Sequence, residues 1–166
     1  MILPNKVAQM AQHKENENLK FRAFLKNHAD EKELDAQFLR LHNELFADYD
    51  CSSCRNCCKL FHAEIPIADI EKDAEHLNLS TDEFISTYLK QDEYGISYIT
   101  KHKPCDFLQD NGECMLGGRK PESCANYPHT NQPERLWSLL SFIENVSVCP
   151  VAYEICEQLK KEYNFR

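Results

Sequence analysis

At 166 residues and 19.4 kDa the chain has the length of one domain that can bury a core without disulfide staples, and its 42% hydrophobic and 28% charged residues exclude a disordered chain. A formal charge of −8 disfavours a phosphate-tracking surface, so nucleic acid is not the expected partner. No stretch approaches the ~20 apolar residues that span a bilayer and residues 1–20 hold no secretory apolar run, so no membrane association is expected and the location is read as cytoplasmic.

In chain order, Leu19 to Lys26 suggests a first helix carrying Phe21, Phe24 and Leu25. A second is predicted where Leu34, Phe38, Leu41 and Leu45 share one face and Asp30 with Glu33 has capping-box spacing. Leu60 to Ile65 reads as a short strand, and Pro66 opens a helix bearing Ile67, Ile70, Ala74 and Leu77. Ser80 and Glu83 form another capping box, flanked by a Leu79–Phe84 hydrophobic staple, which predicts a helix from Thr81 to Lys90. Tyr94 to Thr100 suggests a strand, and Asn111-Gly112 a hairpin turn. Leu136 to Val148 is apolar without a clear period, and Pro150 to Tyr163 reads as a final helix with Val151, Ile155 and Leu159 inward. The expected fold is α+β, mainly helical with few short strands, organised as an N-terminal helical segment (1–47) and a cysteine domain (48–166).

Nine cysteines are the compositional anomaly. In a reducing compartment an odd, dense set points to metal or redox chemistry rather than disulfides. Cys51, Cys54, Cys57 and Cys58 lie within eight residues, and a Cys-x2-Cys pair can reach one tetrahedral ion from two sides of a tight turn. Adjacent Cys57 and Cys58 would face opposite ways in an extended segment, which suggests two centres or a bridging sulfur. Cys105, Cys114, Cys124 and Cys149 bring the thiols to the eight that two four-thiolate sites need. Each sits in a ligand-like context: after Pro104, after the hairpin turn, and at the helix entries of Pro121 and Pro150. Cys156 lies two turns beyond Cys149, about 10.5 Å along a helix, and is assigned to the core. Arg55, Lys59, Arg119 and Lys120 could offset the charge of thiolates around zinc, Arg119 in particular by holding ligands in place. His62, His102 and His129 are further ligand candidates, but each reads first as a packing or surface residue. No nucleophile elbow or phosphate-cradling glycine loop is present, so the residues make no claim to catalysis.

The run Cys51-Ser-Ser-Cys-Arg-Asn-Cys-Cys58 resembles the signature of the YkgJ-type cysteine-cluster family of zinc- or iron-chelating domains. The segments Ile65 to Ile70, Pro104 to Leu108, Cys114 and Arg119 to Pro128 resemble its later blocks in order, so the likeness covers roughly residues 48 to 156. Asn56 stands where the family often has Gly, and Lys120 separates Arg119 from Pro121, but neither departure removes a ligand. The resemblance implies a metal-binding protein. Zinc is the expected cofactor, with an iron–sulfur cluster as the alternative. One rival is an iron–sulfur redox enzyme or a methyl-transfer accessory similar to flagellin lysine methylase. The other is a zinc-stabilised interaction module that meets a protein partner through the N-terminal helices. The bacterial ferredoxin run needs a fourth cysteine followed by Pro, whereas the Cys-Pro here is Cys149-Pro150.

Overall fold

The computed structural model describes every residue from Met1 to Arg166. Its elements in chain order are α1 (Val7–His13), α2 (Glu15–His28), α3 (Glu31–Phe46), α4 (Asn56–Leu60), β1 (Glu64–Ile65), α5 (Ile67–His76), α6 (Thr81–Tyr88), β2 (Leu89–Gln91), β3 (Tyr98–Thr100), α7 (Glu122–Ala125), α8 (Leu139–Val146) and α9 (Pro150–Glu162), with one 3-10 turn before α1 and three between later elements. The fold is α+β and mainly helical, as the sequence predicts. It divides into two compact units: Met1–Asp50 with Pro128–Arg166, and Cys51–Tyr127.

The first unit is a helical one built from α1, α2, α3, α8 and α9. Asp30 caps α3 by accepting from the Glu33 backbone N–H at 3.0 Å, and the periodic residues Leu34, Phe38 and Leu41 are buried. Phe38 meets Phe142 of α8 edge-on at 4.7 Å. Pro150 occupies the first turn of α9, where its missing N–H costs nothing, and Val151, Ile155 and Leu159 are fully buried. Charge is buried here too. Lys160 of α9 donates to Glu17 at 2.5 Å, Asn18 at 2.6 Å and Glu157 at 2.8 Å, which satisfies all three ammonium protons, and Lys14 pairs with the same Glu157. No single helix is long and apolar enough to cross a membrane.

The second unit packs shorter pieces around Ile65, Ile70, Phe84, Leu89, Phe107 and Leu116. The capping box of α6 is complete, with Ser80 and Glu83 each serving the other's backbone N–H. The sheet is antiparallel in the order β1-β3-β2, with Ile65 opposite Tyr98 and Leu89 opposite Thr100. Three local expectations shift. Leu60 ends a helix, so β1 shrinks to two residues. Helix α6 stops at Tyr88, because Leu89 to Gln91 gains a ladder partner in β3. Tyr94 and Ile96, read as part of a strand, instead form the exposed tip between β2 and β3, where the Asp92 carboxylate accepts from the Ile96 N–H at 2.8 Å.

Candidate metal centre

The cysteine motif begins in a 3-10 turn, Cys51–Ser53, closed by Cys54 and Arg55 N–H groups that both donate to the Cys51 carbonyl. Arg55 then takes a left-handed conformation (φ 53°) and caps the five-residue α4. The extended geometry that set Cys57 and Cys58 on opposite faces therefore does not apply. On a helix, neighbours diverge by only about 100°. Cys54 is buried, and Lys59 reaches back to donate to its carbonyl at 3.0 Å.

The downstream thiols approach this loop through the backbone. The Cys105 N–H donates to the Cys58 carbonyl at 2.7 Å, and Leu108 pairs with Cys114 across the predicted hairpin. At its turn Gly112 has φ 82°, and a Cβ built there would overlap the Ser52 carbonyl oxygen. Glycine thus serves twice: it supplies the turn conformation and lets the hairpin lie against the cysteine loop.

The electrostatics of Cys58, Cys105, Cys114 and Cys124 are linked. A hydrogen bond from Cys57, then the charges of Arg55 and Lys120, pull the Cys58 thiol down to about 6. Burial pushes Cys105 up, and the neighbouring Cys58 and Cys114 push it further. Cys124, an exposed residue by overall surface, is pushed up by burial of its thiol and by Cys105, Cys58 and Cys114. Four thiols from four separate segments thus share one neighbourhood. They are not drawn into a finished ligand shell: no three His, Cys, Asp or Glu side chains stand in ion-holding geometry.

The donor chemistry fits a soft cation. Cys58 is drawn toward the thiolate beside Arg55 and Lys120, and a divalent ion would offset the burial, and then the neighbouring thiols, that oppose ionisation of Cys105 and Cys124. Cys51, Cys54 and Cys57 complete the motif in the same unit, whereas Cys149 belongs to the helical unit, where it precedes α9. Cys156 is fully buried in the helical core, and burial pushes its thiol up to about 12, the signature of an inert packing residue. His102 is an exposed partner of Asp106 at 2.6 Å, and His129 lies in the helical unit.

Sequence reasoning marks Arg119 as a residue that holds ligands in place but misses what anchors the ligand-bearing loop to α5. Asp73 of α5 is 1% exposed and accepts from Arg119 Nε at 2.8 Å, and one turn later His76 Nε2 lies 3.3 Å from the Met115 carbonyl. The available signal was an acidic residue on the buried stripe between Ile70 and Ala74, a position that calls for a buried cationic partner.

A family model, CxxCxxCC: Putative zinc- or iron-chelating domain, matches residues 50–150, which is more than half of the chain. No curated protein and no solved structure matches it. With the motif loop and the later blocks both inside the matched span, the chain belongs to the CxxCxxCC family of metal-chelating domains.

Proposed function

We propose that the protein binds zinc, in about two thiolate centres, and that the metal stabilises the cysteine unit. The observation that carries this reading is the electrostatic linkage of Cys58, Cys105, Cys114 and Cys124, four thiols spread over 67 residues of sequence. Together they would form one centre. Cys51, Cys54 and Cys57 are proposed ligands of the second, and Cys149 remains a candidate on its sequence context. When bound, zinc would supply a closed cross-link among chain segments that the apolar core and a few backbone hydrogen bonds already bring together.

Arg55 and Lys120 support the same reading, because a four-thiolate zinc carries a net charge of −2 that adjacent cations offset. The proposed location is the cytoplasm, where thiols stay reduced. Metal analysis after anaerobic purification tests the proposal. A colourless protein carrying about two zinc ions per chain is expected. A brown protein with stoichiometric iron and acid-labile sulfide would overturn zinc in favour of an iron–sulfur centre and bring the redox-enzyme reading forward.

A further inference from the structure

We infer that Asp73 and Arg119, which are not ligands themselves, form a positioning clamp that sets the affinity of the centre built from Cys58, Cys105, Cys114 and Cys124. The inference rests on the metal-centre reading above and adds a control element to it. Arg119 stands five residues after Cys114 and five before Cys124, at the middle of the segment that delivers both thiols. That segment contains little regular structure: a 3-10 turn at Gly117–Arg119 and the four-residue α7. Its internal hydrogen bonds are local, Gly117 N–H to Cys114 C=O at 2.9 Å and Arg119 N–H to Leu116 C=O at 2.9 Å. Such turns fix a shape but not a location.

Location comes from contacts outside the segment, among them the Met115 N–H donating to the Phe107 carbonyl at 2.8 Å and the following three. Leu116 is fully buried in the unit's core, His76 meets the Met115 carbonyl, and Asp73 holds Arg119. The first two anchor the Cys114 end. Beyond Gly117 and Gly118, where a built Cβ would meet nothing within 4 Å, the ion pair is the first anchor reached, followed by the buried Pro121 and by Tyr127, whose ring meets Phe61 at 5.8 Å, so it falls midway between the two thiols. Asp73 is nearly inaccessible while Arg119 is about one-third exposed, so the carboxylate is the fixed point and the arginine is drawn to it. A buried carboxylate held by one arginine is a poor general stabiliser, since its desolvation offsets most of the attraction. It is a good specifier of geometry, because the guanidinium can meet it from few directions.

Cobalt(II) titration of the full chain provides the test, because its thiolate charge-transfer bands report ligation at each centre. Wild-type, Asp73→Asn and Arg119→Lys proteins would be compared. Asp73→Asn keeps the shape and an acceptor but loses the charge. It should weaken one of two cobalt ions by roughly 10- to 100-fold, the usual effect of a residue that orients ligands, and leave the other unchanged. Arg119→Lys retains the charge without the directed Nε–H and should give a smaller loss at the same ion. It also serves as the reporter should Asp73→Asn fail to fold. Wild-type affinity at both ions in the variants overturns the clamp. Equal weakening of both ions, with a lowered melting temperature, overturns it in favour of general destabilisation. A wild type that takes up no cobalt defeats the metal-centre reading itself, and the clamp with it.

Discussion

In the helical unit, α2 and α3 run for 14 and 16 residues; α2 buries Phe21 and Leu25 beside Asn18, and α3 buries Leu34, Phe38 and Leu41. In the cysteine unit the longest helix, α5, has ten residues, α7 has four, and β1 has two. Elements that short are not stable alone, and the apolar core around Phe84 and Phe107 touches only part of the chain between Cys51 and Tyr127. The difference bears on the proposed role of the thiols. Where periodic apolar residues are dense, helices specify themselves; where they are sparse, the proposal gives metal-bound cysteines part of that task.

Removing metal should separate the two units most sharply. Closed thiolate sites contribute about 10 kcal/mol or more to small zinc domains, so a strong chelator should abolish the cooperative melt of the cysteine unit. Trp137, the one tryptophan, lies in the helical unit with Lys26 over its ring at 4.6 Å, and its fluorescence should change little. A chelated, metal-free protein whose melting profile is identical to the native one would locate the stability of Cys51–Tyr127 in its apolar core. The reverse experiment is Phe38→Ala. Loss of a fully buried ring packed on Phe142 should cost about 3–5 kcal/mol in the Trp137-reported transition and leave zinc content intact. Parallel loss of zinc would mean that the units are not separable.

A finer probe lies inside the cysteine unit. Gly112→Ala places a methyl group against the Ser52 carbonyl at a backbone angle that L-residues avoid, and should cost about 1–3 kcal/mol and reduce metal content. Gly118→Ala is its control: the site is open and φ is not left-handed, so stability should stay level or rise by about 0.4–1 kcal/mol. Equal effects at both glycines would show that close approach of hairpin and loop is unimportant.

These contrasts follow how legible each region was in the sequence. Helices α3, α6 and α9 could be read because caps and apolar periodicity agree: Asp30, the Ser80–Glu83 box and Pro150 all act at the predicted ends. Helix α1 was not read, since Val7 and Ala11 are its only buried residues and two positions make no period. Strand β2 was hidden because Leu89 continues the apolar face of α6, and only its partner in β3 decides otherwise. Ile67, one of the apolar residues that marked α5, is 65% exposed at its first turn, while Ile70 and Ala74 are buried. Periodicity gives a face but not its partner, so nothing in Leu136 to Tyr163 revealed that α8 and α9 pack with the N-terminal helices. The thiols of the candidate site were legible as residue types at short spacing. The Asp73–Arg119 pair, 46 residues apart, was not, because no local rule links the two.

The smallest expected effect concerns Cys156 and isolates the helical unit. At neutral pH, Cys156→Ala removes one buried sulfur and should cost about 1 kcal/mol. Above neutrality the cost should shrink. Burial raises the folded thiol to about 12, while in the unfolded chain a cysteine titrates near ~8.5. Between those values the unfolded state has released a proton that the folded state keeps, so rising pH favours unfolding; the thiol's contribution is intact below the lower value and declines through the window. Lys160 adds a second alkaline loss common to both proteins: burial alone would lower its pKa, but hydrogen bonds to Glu157 and Glu17 raise it overall. Tyr153, raised chiefly by burial, acts in the same direction. The variant keeps these groups, and because the Cys156 thiol acts on Lys160, the difference between the proteins reports the thiol together with that coupling. Urea melts followed at Trp137 from pH 7.5 to 10.5 should show that difference falling by up to ~1.4 kcal/mol per pH unit once the unfolded thiol ionises, and then changing sign. A difference that stays constant across that range would mean that the folded thiol titrates as an exposed one does, and the packing of α9 around it would have to be looser than its complete burial indicates.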